Sequence, residues 1–287
     1  MMIVSFVIYG VSIKFPDGIL LLHGVQEDLK YYHLPVTPTM VIFISVCVFQ
    51  ALWIVYSLLL IVTNGIKGTE SLPYSVFMLC AFASQLNVIW LVELDNHAPV
   101  IAFAVQISVF ASLLGALVIG YRNFEEAYPK MIQPRYVRRY WLIRLLVHNG
   151  LAFQTTWAFE LALINMGLAL TASSFMTQSD AALLSVSLLA VVMTLYTVAE
   201  NIALNRWTLY TLSPYILHLM VCVAILVNRL SVSTAFLLSH ATGLVLLKVV
   251  MIAYKYFKAQ GVLSQSKNVK SDLETYAFPQ QFAHGRL

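Results

Sequence analysis

The chain has 287 residues, 60% of them hydrophobic and 10% charged, with a net charge of +4. A soluble domain carries roughly 25% charged residues, so a water-facing globular surface is excluded. The Lys and Arg residues gather in one connection and in the C-terminal stretch rather than along a helical stripe, which speaks against a nucleic-acid partner.

In chain order, Met1 to Ile13 is apolar but short. It lacks the basic start and small-residue cleavage site of a secretory signal and reads as a short extra span. Residues 1–37 therefore form a short apolar segment followed by a loop. A bilayer core of roughly 30 Å needs about 20 mainly apolar helical residues. Seven segments meet that length: 38–63, 73–92, 98–121, 140–170, 181–204, 207–228 and 233–257, named spans A to G. The predicted fold is all-α, a polytopic transmembrane helix bundle over residues 38–258 with about seven full spans. Pro73, Pro99 and Pro214 stand near span starts, where a missing N–H costs little. Residues 259–287 are polar and read as a disordered tail.

Cytoplasmic loops carry an excess of Lys and Arg. The C–D connection holds Arg122, Lys130, Arg135, Arg138 and Arg139, and the end of the chain adds Lys255, Lys258, Lys267 and Lys270. The B–C and D–E connections hold none. Both facts place the C-terminus and the C–D connection on the cytoplasmic side of an integral, multi-pass protein.

An ionisable group inside a membrane costs at least ~2.5–3.5 kcal/mol on insertion scales, so it faces the bundle interior. Span D is the most polar. Arg144, His148 and Thr155 share one stripe, and Asn149, Thr156 and Glu160 a neighbouring one, which predicts a central position for this helix. With Glu200 at the inner end of span E and Lys248 below the middle of span G, Arg144, His148, Glu200 and Lys248 form an expected inner charged cluster. The alternative is a structural clamp with Arg144 and Lys248 snorkelling to the surface. In the outer half, Asn87, Trp90, Gln106, Trp157, Glu160 and Asn165 mix amides with indoles. They are expected either to line a ligand cavity or to hydrogen-bond between helices. His218 reads as a packing residue.

Cys47, Cys80 and Cys222 lie in separate apolar runs and read as packing residues. No CxxC, HExxH, P-loop or GxSxG pattern occurs, so neither an enzyme nor a metal site is expected.

Three stretches carry a resemblance. Span B reads Gln85-Leu86-Asn87-Val88-Ile89-Trp90. Span D places Asn165 eight residues after Trp157. Thr37-Pro38-Thr39 leads into Phe43 and then Gln50-Ala51-Leu52-Trp53. Together they resemble the tryptophan-rich sensory protein family, also called translocator or peripheral benzodiazepine receptor proteins, in a longer multi-span branch. The resemblance covers roughly residues 36 to 168; spans E to G extend it. This chain lacks the usual Trp near the centre of the first helix, and the spacing from Pro38 to Trp53 is shortened. The resemblance implies a helical bundle around a pocket for tetrapyrroles, sterols or synthetic aromatic ligands, with Asn87, Trp90, Trp157 and Asn165 at motif positions. A tetrapyrrole is the cofactor it allows, a small hydrophobic ligand and the bilayer are the partners, and a homodimer is compatible with it.

Function is thus expected to be binding or transport of a small hydrophobic or amphipathic ligand. The alternatives are an ion or proton pathway through Glu160, Glu200, His148 and Lys248, or a seven-helix receptor with Lys248 as a retinal attachment point. Span C offers that receptor no carboxylate counter-ion, and Gly120-Tyr121-Arg122-Asn123 is not the acidic-Arg-aromatic triplet of G-protein-coupled receptors.

Overall fold

The computed structural model describes residues 72–131, 137–208, 210–228 and 232–265, with isolated positions between 48 and 59. The short segment at residues 1–14, most of span A including Cys47 and the Pro38 motif, and the tail beyond residue 265 lie outside the described residues. The described residues are helical throughout, joined by short turns: α1 (Tyr74–Asp95), α2 (Pro99–Met131), α3 (Val137–Leu142), α4 (Asn149–Ala172), α5 (Gln178–Ala199), α6 (Asn205–Thr208), α7 (Ser213–Asn228) and α8 (Val232–Gln265). Two π-helical segments, Ile143–His148 and Glu200–Leu204, join α3 to α4 and α5 to α6 without a break.

Local chemistry sets the ends. Thr177 caps α5 by accepting a hydrogen bond from the Asp180 N–H at 3.2 Å and donating one to Asp180 Oδ2 at 2.7 Å, a reciprocal arrangement that satisfies an orphan donor of the first turn. α1 and α4 stop at residues with left-handed backbone, His97 (φ 56°) and Ser174 (φ 58°). The Ala98 N–H reaches back to the Glu93 carbonyl, and the Phe175 N–H to that of Leu170, which closes each helix C-terminus.

Among the described residues, four helices are long and apolar enough to cross a membrane: Tyr74–Leu94, Pro99–Ala127, Gln178–Ile202 and Leu238–Lys255. Their outward faces are apolar. Met78, Phe82, Ile107, Leu114, Val118, Leu183, Val191, Leu195, Leu246 and Val250 are exposed, while Gln106, Glu160, Asn165, Glu200 and Lys248 are buried. This is the burial pattern of a membrane helix bundle, in which lipid solvates the apolar exterior and polar groups pair inside.

Of the seven expected spans, B, C, E and G meet the length and apolarity of a membrane span among the described residues, and most of span A lies outside them. Span D is helical over its length but is diluted by Gln154, Glu160 and Asn165, and span F is shorter, with its apolar stretch at Ser213–Val223. Boundaries move as well. Span C was expected to end at residue 121, yet α2 runs to Met131, so Arg122 and Lys130 lie on a helix rather than in a loop. Arg138 and Arg139 lie on α3. Asn205-Arg206 is helical, and the turn into α7 follows Thr208. α8 continues to Gln265, beyond the expected end of span G at residue 257.

α4 is the centre of the bundle: almost every residue from Asn149 to Ala169 is buried. Small residues make that possible. Ala83, Ala116 and Ala158 let α1, α2 and α4 approach closely. A second cluster joins Trp90, Leu91 and Ala102 to Phe153, Trp157, Leu161, Ala182, Leu217 and Val221, which gathers α1, α2, α5 and α7 around α4. A third, with Leu163, Leu189, Met193, Tyr215 and Leu244, brings in α8.

Candidate functional site

The inner charged residues separate into two neighbouring sites. In the first, Lys248 on α8 donates to Glu200 Oε1 in a direct ion pair and to the Thr208 carbonyl at 3.0 Å. Tyr215 on α7 donates its hydroxyl to Glu200 Oε2, and the Lys248 ammonium lies 5.6 Å from the Tyr215 ring centroid. All three side chains are at or below 3% exposed. Glu200 opens the second π-helical segment, which runs directly into α6 with Thr208 at its end. π-helical insertions cluster at functional sites, and Arg144, His148 and Glu200 all stand in one.

In the second site, Arg144 is held by rings rather than by a carboxylate. Its guanidinium carbon lies 5.3 Å from the Phe124 centroid, 5.1 Å from Tyr140 and 5.4 Å from Tyr210, within the range of cation–π attraction. Nη1 also reaches the Trp207 carbonyl at 3.4 Å. His148 is packed between the Tyr121 and Phe124 rings, each centroid 4.7 Å away. The Tyr121 hydroxyl is 2.7 Å from Thr211 Oγ1, and the Trp207 indole donates to Glu125. Arg144 and His148 thus share one site and Glu200 and Lys248 the neighbouring one: Lys248 points inward to Glu200, and Arg144 sits in an aromatic box.

Asn149 fastens this region. Its Nδ2 donates to the Arg144 carbonyl at 2.9 Å and to that of Tyr210 at 3.0 Å. Its Oδ1 accepts from the N–H groups of Leu212 at 2.8 Å and Ser213 at 3.2 Å. Both amide hydrogens and both lone pairs are thereby used, tying the first π-helical segment to the start of α7.

The outer set divides. Trp90 Nε1 donates to Asn165 Oδ1 at 3.1 Å, and Asn165 Nδ2 donates to Leu161 O at 2.7 Å. Trp157 packs in the same cluster as Trp90. Gln106 Nε2 reaches the Ala158 carbonyl at 3.4 Å. Asn87 is half-buried on α1. Glu160 turns instead toward α7, where Oε1 lies 4.0 Å from His218 Nδ1.

Sequence reasoning missed Tyr215, Tyr121, Thr211, His240 and the clamp role of Asn149. A usable signal existed for one of them. His240, Leu244 and Lys248 fall on one helical stripe at i, i+4 and i+8, which marks the inward face of α8. Among the described residues, no group of three or more His, Cys, Asp or Glu is arranged to hold a metal ion. No family model, curated protein or solved structure matches this chain.

Proposed function

We propose that this is a membrane transport protein of seven spans that passes protons or a small cation through the interior of α4, α5, α7 and α8. The observation that carries the reading is the Lys248–Glu200–Tyr215 contact, buried where three helices meet and seated at a π-helical segment. Ion pairs at such depth give little net stability, because desolvation offsets their attraction, whereas intramembrane charge marks ion and proton paths. α4 and α7 supply the fourth and sixth spans, their polar residues facing protein rather than lipid. The positive-inside rule sets the Arg122, Arg139 and Lys255 end in the cytoplasm, along with the C-terminus. Full-length protein in liposomes loaded with a pH-sensitive dye tests the reading: acidification after a pH jump should exceed that of empty vesicles and drop in Tyr215→Phe and Glu200→Gln. Wild-type vesicles as tight as empty ones would exclude it.

A second reading has its own support. Trp90, Trp157 and Asn165, three residues at positions resembling the tryptophan-rich sensory protein motifs, converge in one cluster beside Gln106. On that reading a tetrapyrrole- or sterol-like molecule enters between α1, α2 and α4 with Asn87 at the rim. Neither reading involves catalysis. Titration with a porphyrin and a sterol, compared with Trp157→Ala, tests it; no saturable binding by the wild type counts against it.

A further inference from the structure

The bundle holds a second set of buried polar groups, apart from the Lys248–Glu200 pair. Glu160 on α4 is 2% exposed, and neither carboxyl oxygen has a hydrogen-bond partner. An uncompensated carboxylate in such surroundings is too costly to persist, so this group holds a proton or exchanges it with a neighbour. The neighbour is His218 on α7, fully buried, with Nδ1 at 4.0 Å from Glu160 Oε1 and also without a hydrogen-bond partner. Cys222 Sγ lies 3.9 Å from His218 Nε2. The His218 ring stands nearly perpendicular to that of His240 on α8, with centroids 5.8 Å apart. His240 Nε2 is 2.9 Å from Thr194 Oγ1 on α5, and Thr194 already donates its hydroxyl proton to the Ala190 carbonyl. His240 must therefore donate from Nε2, which leaves Nδ1 as a buried acceptor with no partner.

We infer that Glu160, His218 and His240 form a proton relay across three helices, with Thr194 at its far end. In the first step the Glu160 O–H bond breaks and an N–H bond forms at His218 Nδ1, giving a carboxylate beside an imidazolium. In the second, His218 Nε2 gives up its proton and His240 Nδ1 gains one, through a ring rotation or one intervening water. Each hop exchanges one O–H or N–H bond for another and needs no co-reactant. Three neighbouring unpartnered groups are the signature: a purely structural network would have them satisfied. His240 lies eight residues before Lys248 on the same stripe, about 12 Å along the helix, so the relay continues the proposed pathway away from Glu200. It depends on that reading for net movement across the membrane, though not for the sharing of the proton.

Infrared spectroscopy of the purified full chain, in H2O and D2O, separates the two. The relay requires a protonated-carboxyl C=O band that is absent in Glu160→Gln and shifts in both His218→Gln and His240→Gln, although His240 does not touch Glu160. A band unchanged in the histidine variants, or no band lost in Glu160→Gln, overturns the relay. Thr194→Val, at an exposed position, is the variant least disturbing to folding and should still shift the band. Vesicle flux measured in parallel judges the transport reading: a tight wild type with the coupled infrared shifts sinks transport and keeps the relay.

Discussion

Asn149 and the Glu200–Lys248 pair show how single side chains hold buried backbone and charge in this fold. Asn149→Ala leaves two N–H groups and two carbonyls without their partner. Unsatisfied buried groups cost about 1–3 kcal/mol, so thermal unfolding in detergent should show a loss of roughly 2–4 kcal/mol, since part of the turn regains water. For the ion pair, the physics predicts non-additivity. Glu200→Gln or Lys248→Met alone strands one buried partner and should cost about 3–5 kcal/mol, while the double variant should recover most of it. A double-mutant cycle on unfolding midpoints checks this, and additive losses would mean the two groups are not coupled. The sequence showed that Glu200 and Lys248 lie at similar depth. It did not show Tyr215 joining them, because a tyrosine in an apolar helix start carries no mark of its hydroxyl's partner.

At the scale of elements, the two π-helical segments explain most of what pattern reading missed. Each inserts a residue into the helical phase, so the residues beyond it turn by about 100° from a regular 3.6-residue register. Arg144 and His148, placed on one stripe with Thr155 by regular spacing, both meet the Phe124 ring, whereas Thr155 lies beyond the π-helical segment. The four long apolar spans were legible because long apolar runs need no register. The faces were not, since membrane helices are apolar all round and only their few polar residues report direction. Span D was the exception: its polar residues marked it as central, and α4 lies there. Deleting Ile202, 81% exposed within the second π-helical segment, should restore α-helical register. The deletion variant should keep its helical circular dichroism but turn Trp207 and Thr208 away from Glu125 and Lys248. The Trp207 emission maximum then moves, whereas an unchanged spectrum would show that the π-helical segment does not set the position of that indole.

For the molecule as a whole, lipid-facing apolar surface and a polar interior follow from composition, and the helix ends alternate sides as short turns require. His97 and Ser174 lie at one end of the bundle, Glu126 at the other. Cysteines introduced at His97 and Ser174 should be labelled by an impermeant maleimide from one side only, and one at Glu126 from the opposite side; labelling of all three from one side would break the topology. The larger question is whether the buried charge conducts or merely clamps. Stability and function separate in the Glu200→Gln/Lys248→Met double variant, which removes both charges yet should remain folded. The decisive measurement is proton flux into liposomes containing equal amounts of wild type and this folded double variant. Flux is expected in the wild type, and only the level of empty vesicles in the double variant. Equal flux from the two proteins would contradict that expectation and leave the ion pair as a clamp.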